Sequence, residues 1–189
     1  MKRGEGLRRV TELGACEFRK LMDIYAEGNR ENAEYFYPEL PLTEGVAKEE
    51  KKFAEMLRKS FLTRPENELY VLEAEGQWVA ALRLTKLEGF YYLEALETKP
   101  DRRKRGYGKA LLEALCRELA GRGPVMIRDC VSKRNEASLR THLSAGFVID
   151  QDPGIEYPGG ETDPRCFGML YRADGVARSD GPEKFPVSL

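Results

Sequence analysis

The sequence predicts an α/β fold in which helices cover both faces of a central mixed sheet. Three strand-like segments at 69–75, 77–87 and 90–99 are separated by short turns, which is typical of an antiparallel meander. The strongest helical pattern, at 106–122, lies between this meander and another strand at 125–131. A strand–helix–strand connection normally places its two strands parallel, so the sheet is expected to be mixed.

The N-terminal region predicts one strand and two helices. Residues 7–11 are typical of a short strand, and 15–26 carries apolar residues at helical spacing. The segment 29–42 is expected to be an irregular connector. A second helix is expected at 43–61, where the apolar stripe is incomplete and Thr43 is placed to cap the first turn.

The elements after the main helix are short. A helix is expected at 135–145, because Asn135 can cap its start and Gly146 can end it. Strands are expected at 147–150 and 166–171, joined by a loop rich in proline, glycine and acidic residues.

Length and composition indicate one domain and exclude several classes of protein. The chain has 189 residues, of which 41% are hydrophobic and 33% charged, so we expect a single domain at 1–172 and a loose C-terminal tail at 173–189. A net charge of −1 argues against a general nucleic-acid-binding surface, and no apolar run is long enough to span a membrane. Four cysteines without C-x-x-C spacing and one histidine predict reduced thiols, a cytoplasmic location and no metal site.

A basic, glycine-containing turn opens the main helix. The first turn of a helix has unpaired N–H groups and a partial positive charge, which together favour anions. Gly106 and Gly108 would let a phosphate approach the backbone closely. This pattern indicates a site for a multiply charged small anion such as a pyrophosphate, although a solvated basic turn with glycines that serve packing is the plainer alternative. The cationic residues nearby are Arg102, Arg103, Lys104, Arg105 and Lys109.

Two separated signatures are similar to those of the GNAT family of N-acetyltransferases. The first is Arg103-x-x-Gly106-x-Gly108, which follows a strand and Pro100 and opens the helix. The second runs from Asn135 to Gly146-Phe147, and the resemblance covers roughly 69–171. It implies a GNAT-like acyl-CoA N-acyltransferase fold. It also implies acetyl-CoA as co-substrate and transfer of its acetyl group to a primary amine of a small molecule or peptide.

The resemblance also assigns cofactor-binding roles. The pyrophosphate would lie on the turn at the start of the main helix, and the pantetheine arm would pair with the end of the fourth strand as an added strand does. Family members typically have a bulge at this strand. The pyrophosphate-binding residues would be Arg103, Lys104, Arg105, Gly106, Tyr107, Gly108 and Lys109. The pantetheine would contact Leu96, Glu97 and Thr98, with Asn135 and Ser138 near its thiol end.

Acetyl transfer to an amine needs a base for the amine proton, a donor for the oxyanion and a proton for the departing thiolate. A backbone N–H near Leu96 would serve the oxyanion. The family usually places a tyrosine acid in the later helix, but this sequence has His142 there. His142 is therefore either the acid or a core residue, in which case another group or water supplies the proton. Glu94 is the preferred base, with Glu97 the weaker candidate and a surface carboxylate the alternative for Glu94.

Direct transfer needs no covalent enzyme intermediate, so Cys116 and Cys130 are expected to be buried thiols without a nucleophilic role. The acceptor is expected to contact the aromatic run at 35–37 and the acidic loop at 152–165. Core packing of the aromatic run and simple solvation of the loop are the plainer interpretations of these segments.

The second functional hypothesis is a GNAT-like module that binds acyl-CoA without turnover, because the family's tyrosine is missing. We expect an amine substrate as partner, with no nucleic acid and no membrane, and we leave a homodimer open.

Overall fold

The computed structural model describes residues 6–174, in which seven strands form one mixed sheet. The sheet order is β1-β2-β3-β4-β5-β9-β6, and every neighbouring pair is antiparallel except β4 and β5, which are parallel. The predicted mixed sheet with an antiparallel meander is therefore confirmed. The strands are β1 (Gly6–Val10), β2 (Asn67–Ala74), β3 (Gln77–Leu87), β4 (Phe90–Thr98), β5 (Val125–Ser132), β6 (Val148–Gln151), β7 (Gly154–Glu156), β8 (Glu161–Asp163) and β9 (Cys166–Ala173).

Helices pack on both faces of the sheet, as predicted. The helices are α1 (Ala15–Ile24), α2 (Ala26–Phe36), α3 (Leu42–Met56), α4 (Tyr107–Ala120) and α5 (Glu136–Ser144), and a π-helical turn (Leu57–Phe61) follows α3. One core lies between the sheet and α4, where Leu111, Leu112 and Leu115 are completely buried. The other lies under α1 and the end of α3, around Leu21, Leu57 and Trp78. Burial of a leucine contributes about 1.5–3 kcal/mol, so these cores hold the helices firmly on the strands.

The expected connector at 29–42 was wrong, because most of it belongs to α2. This helix has only two buried residues, Asn29 and Ala33, so the sequence carries no apolar stripe that would reveal it. It is stabilised by close packing on α3: a Cβ on Gly45 would lie 3.1 Å from the Cβ of Ala33. The core interpretation of the aromatic run is also wrong, since Tyr35 and Phe36 are 79% and 53% exposed.

Two smaller predictions also differ from the structure. Thr43 does not cap α3, because the helix begins one residue earlier and Pro41 accepts the first backbone hydrogen bonds through its carbonyl. The loop expected between β6 and β9 contains the two-stranded hairpin β7–β8. Its strands have three residues each, which is too short to show strand alternation. The proposed C-terminal tail lies outside the described residues from position 175 onward.

Candidate active site

A wedge opens between β4 and β5 because these strands pair only at their start. The register joins Tyr91 to Ile127 and Tyr92 to Arg128, after which the two strands diverge. The main chain of β4 beyond Tyr92 therefore presents its β5-facing edge to the wedge. Such an edge can accept the amide groups of an extended ligand.

A bulge distorts β4 beside this wedge. The pairing with β3 moves from Arg83–Glu94 to Ala81–Glu97. An advance of three residues along β4 is therefore matched by an advance of only two along β3, which is a bulge. Ala95, within the bulge, has a φ of +54°. Because of the bulge, Glu94 and Glu97 both partner residues on the same face of β3, and both lie on the side of the sheet covered by α1 and α3. A regular strand would have placed these two carboxylates on opposite faces.

The N-terminus of α4 lies at the end of β4 and is open. Gly106 precedes the helix with a φ of +83°, and no side chain of the described residues caps the first turn. A Cβ on Gly108 would lie 3.2 Å from Oγ1 of Thr98 and 3.4 Å from Cγ2 of Thr141. Glycine therefore lets the first turn of α4 approach the ends of β4 and α5, and the amides of that turn remain available to an anion.

The cationic residues of the basic turn have different surroundings. Arg103 donates from Nε to the carbonyl of Thr98 at 3.3 Å and forms ion pairs with Glu27 and Glu97. Arg102 instead binds Glu75 and Gln77 on the β2–β3 turn, so it stabilises that turn rather than the helix start. The remaining cations, Lys104, Arg105 and Lys109, are exposed.

The ion pairs of Arg103 connect three elements at the mouth of the wedge. Glu27 belongs to α2 and Glu97 to β4, so the guanidinium of Arg103 joins both of them to the basic turn. Burial raises the pKa of Glu97, and the positive charge of Arg103 opposes that rise. Arg103 is thus held beside the open end of α4 before any ligand binds.

Replacing Arg103 with alanine should weaken coenzyme A binding by about 1–3 kcal/mol, the value of a charge-assisted hydrogen bond. Isothermal titration would measure the change. Arg102→Ala is the matched control, because its guanidinium contacts Glu75, Gln77 and the adjacent Asp101 rather than the start of α4, and it should bind nearly as tightly as the wild type. Equal affinities of the wild type and Arg103→Ala would contradict a role of Arg103 at the pyrophosphate.

Asn135 and Ser138 lie where β5 passes into α5. The side-chain oxygen of Asn135 accepts a hydrogen bond from the backbone N–H of Ser138 at 3.0 Å, which confirms the predicted helix cap. Contact of either residue with a cofactor stays a prediction.

His142 belongs to α5, and its side chain is completely buried rather than exposed in the wedge. Its Nδ1 lies 2.9 Å from the carbonyl oxygen of Ser138, and its Nε2 lies 2.8 Å from Oδ2 of Asp129. The Nε2 contact is close but not aligned as a hydrogen bond, and it is an ion pair when the imidazole is protonated. Burial alone would lower the pKa of His142, but Asp129 and the Ser138 carbonyl outweigh it and raise the pKa above the ordinary value. This position favours the core interpretation of His142.

Asp129 is a buried residue that the sequence analysis did not single out. Its strand alternates strictly, and the buried set contains Val125, Ile127 and Val131 besides Asp129. The sequence did contain a signal for this residue: a carboxylate stands among inward-facing valine and isoleucine residues, and a buried charge requires a partner. The histidine on α5 is that partner.

Glu94 lies half-buried on the α1–α3 side of β4. Its carboxylate is 3.2 Å from Nε of Arg83. Arg83 in turn lies over the rings of Phe53 and Phe61. The carboxylate is therefore held in place while part of it remains accessible to solvent.

The β7–β8 hairpin covers the first half of β4. The ring of Tyr157 lies against Phe90 and Tyr92, with centroid distances of 4.9 and 5.6 Å. Acidic residues around the hairpin form local ion pairs: Asp150 with Arg128, and Asp163 with Arg165, each at 2.8 Å. These pairs favour the interpretation of the loop as a solvated surface.

Cys116 and Cys130 do not have the properties of nucleophiles. Burial raises the pKa of both Cys116 and Cys130 to about 12, so each is a neutral thiol at physiological pH. Among residues 6–174, no cluster of acidic, cysteine or histidine side chains is suited to hold a metal ion. Within the same range, no helix is long and apolar enough to cross a membrane.

An open helix N-terminus beside an unpaired strand edge is suited to a ligand that joins a diphosphate to an extended amide chain. The profile of the Acetyltransferase (GNAT) family matches residues 23–147. The chain belongs to this family, and it is an acetyl-CoA-dependent N-acetyltransferase that acts on an amine.

Solved structures of the same fold have low sequence identity to the chain. The ribosomal-protein-S18-alanine N-acetyltransferase from Escherichia coli is 19% identical, with a TM-score of 0.58 over 94% of this chain and 99% of that one. The PaiA N-acetyltransferase from Thermoplasma acidophilum, in complex with coenzyme A, is 17% identical, with a TM-score of 0.58 over 89% and 99%. The spermidine N-acetyltransferase from Vibrio cholerae, in complex with CoA and spermine, is 12% identical, with a TM-score of 0.56 over 89% and 95%. No curated protein sequence matches the chain significantly.

Proposed function

We propose that the acetyl group passes directly from acetyl-CoA in the β4–β5 wedge to a primary amine that enters from the α1–α3 side of β4. The observation that carries this proposal is the meeting of the open α4 N-terminus with the end of the splayed strand, at Gly108 and Thr98. The diphosphate would lie on the amides of Tyr107 and Gly108, with Arg103, Lys104, Arg105 and Lys109 as the nearby cations. The pantetheine would lie along Leu96, Glu97 and Thr98, with Asn135 and Ser138 near its thiol end.

The proposed reaction is a single displacement at the thioester carbon. The ammonium form of the amine loses one proton, its nitrogen attacks the carbonyl carbon, the carbon–sulfur bond breaks, and the nitrogen loses a second proton. The products are an acetamide and the thiolate of coenzyme A, which then takes up a proton. We assign the first proton to Glu94, because its half-buried carboxylate lies on the acceptor side beside the bulge. Both carboxylates pair with an arginine, but Glu97 is the weaker candidate because its partner is Arg103, which we place at the diphosphate rather than at the acceptor.

The proton for the thiolate is assigned to solvent or to another residue rather than to His142. The imidazole is completely buried, and both of its nitrogens have protein contacts. His142→Phe therefore separates the two alternatives left open by the sequence. If kcat per folded molecule is unchanged, His142 is a core residue, whereas a large loss of kcat without loss of coenzyme A affinity would make it the acid.

The acceptor is a primary amine on a small molecule or a peptide. The structural neighbours are named for a ribosomal-protein alanine and for spermidine, so this fold accommodates both kinds of acceptor. The exposed Tyr35 and Phe36 are adjacent to the α1–α3 side and are candidates for contact with a larger acceptor. A homodimer stays a prediction.

Release of free thiol from acetyl-CoA in the presence of a panel of amines tests the proposal. Glu94→Gln should lower kcat by about 10²-fold or more, in the range of general-base contributions, while coenzyme A affinity is unchanged. Glu88→Gln, an exposed carboxylate at the β3–β4 turn, is the control and should keep full activity. Equal kcat values for the wild type and Glu94→Gln would reject Glu94 as the base.

The alternative hypothesis of acyl-CoA binding without turnover conflicts with membership of an acetyltransferase family. Release of thiol from acetyl-CoA with any amine of the panel would exclude it directly.

A further inference from the structure

Tyr25 connects the α1–α2 junction to the bulge of β4. It lies between α1 and α2, is only 8% exposed, and packs edge-on against Phe53 with a centroid distance of 5.2 Å. Its hydroxyl donates a hydrogen bond to the carbonyl oxygen of Ala95 at 2.9 Å, across 70 residues of sequence. Burial raises the pKa of Tyr25, so the hydroxyl stays protonated and can act as this donor.

The accepting residue has a backbone conformation that needs support. Ala95 has a φ of +54°, in the left-handed region. For an L-residue with a Cβ this conformation costs about 1–2 kcal/mol, so it persists only where neighbouring groups stabilise it. The hydrogen bond from Tyr25 is a direct restraint on this peptide group.

Because the peptide group is planar, the hydrogen bond to the Ala95 carbonyl also fixes the direction of the N–H of Leu96. In a trans peptide the carbonyl of one residue and the N–H of the next point in opposite directions. The carbonyl of Ala95 points toward Tyr25 on the α1 side of the sheet. The N–H of Leu96 must therefore point away from α1. A donor near Leu96 is what the oxyanion of the proposed reaction requires.

We propose that Tyr25 is a positioning residue, whose hydroxyl holds the Ala95–Leu96 peptide in the orientation that presents the Leu96 N–H to the developing oxyanion. This inference rests on the proposed function. Tyr25 acts through the peptide and contacts neither the acetyl group nor the amine. Its bond also makes the α1–α2 junction, which borders the acceptor side, part of the support for the oxyanion donor.

Tyr25→Phe tests this role, because it removes only the hydroxyl and keeps the ring against Phe53. Misplacement of a reacting group by about 1 Å costs on the order of 10²-fold in rate, so we expect kcat to fall at least about tenfold. The KM for acetyl-CoA and the calorimetric affinity for coenzyme A should stay within about threefold, since the diphosphate site lies elsewhere.

Tyr70→Phe is the matched control. Tyr70 is also buried, and its hydroxyl bonds with Glu68 at 2.8 Å and Arg122 at 2.9 Å, outside the wedge. Both substitutions remove one buried hydroxyl and should lower the melting temperature to a similar extent. Only Tyr25→Phe should lower kcat. An equal loss of kcat in the two variants would show that Tyr25 contributes general stability and would overturn the proposal.

The double variant Tyr25→Phe/Ala95→Gly gives a second test. Glycine adopts a positive φ without the steric cost of a Cβ, so the bulge should keep its form without the hydrogen bond. We expect the double variant to recover most of the kcat lost in Tyr25→Phe, and no recovery would count against the proposal.

If wild-type protein bound coenzyme A but released no thiol, the proposed function would fail by itself, before the Tyr25 variants were compared.

Discussion

Replacement of Gly108 by valine should abolish coenzyme A binding while the protein remains folded. The Cβ alone would lie 3.2 Å from Oγ1 of Thr98, and the two methyl groups would occupy the space beside the open amides of α4. A diphosphate could then no longer reach these amides. Loss of two or three charge-assisted hydrogen bonds corresponds to about 3 kcal/mol or more, which is about a 100-fold weaker Kd.

Gly106→Val should have the same effect on binding with a greater cost in stability. The φ of +83° at Gly106 is strained for any residue with a Cβ, and a β-branched side chain fits it worst. By contrast, Gly108 has no positive φ, so its substitution separates binding from backbone strain. Gly108→Val is therefore the more informative variant.

Gly121→Val is the matched control for this experiment. Gly121 follows the other end of the same helix, has a φ of −67°, and a Cβ there would be no closer than 3.5 Å to its neighbours. Calorimetric titration with coenzyme A should give wild-type affinity for Gly121→Val and no measurable binding for Gly108→Val, with thermal melts confirming that both are folded. Undiminished affinity in the Gly106 and Gly108 variants would defeat the assignment of the pyrophosphate site.

The glycine-containing basic turn at the start of α4 could be predicted from sequence because all of its determinants are local. Gly106, Gly108 and the apolar stripe of α4 lie within one short segment, and strand, turn and helix are consecutive in the chain. The cap at Asn135 was predictable for the same reason. The bulge in β4 was expected only through the family resemblance, since no residue type in β4 requires it.

The features that the sequence did not reveal depend on contacts between distant segments. α2 is held by Ala33 against Gly45 rather than by an apolar stripe of its own, and it therefore resembled a connector. The Tyr25–Ala95 hydrogen bond joins residues 70 positions apart, and nothing in the local pattern of either segment indicates it. The surroundings of Asp129 were partly visible in the alternation of β5, but its partner could be identified only once α5 was placed on the sheet.

Removal of the Asp129 carboxylate should destabilise the protein more than removal of a surface charge. Asp129 is 8% exposed and His142 is 0% exposed, and their side chains are 2.8 Å apart. Breaking a buried pair leaves the remaining partner without compensation, which costs about 3–5 kcal/mol. Asp129→Ala should lower the free energy of unfolding, measured by urea denaturation, by this amount. Asp150→Ala, which removes a more exposed carboxylate from Arg128, should cost less than about 1 kcal/mol.

The free energy of unfolding should also depend on pH in a definite direction. The pKa of His142 is raised in the folded protein, so the folded state retains a proton that the unfolded chain releases near its ordinary pKa of about 6.5. The stabilisation is therefore complete below about pH 6.5 and is lost as the pH rises through the folded-state pKa. We expect the wild-type free energy of unfolding to fall over this interval. The fall should be smaller in Asp129→Ala, which lacks the carboxylate that raises the pKa of His142. A stability that rises over the same interval, or an unchanged slope in Asp129→Ala, would contradict a protonated histidine paired with Asp129. His142 would then be neutral in the folded protein, and a neutral imidazole has no readily released proton for the departing thiolate, so the acid would still have to be solvent or another residue.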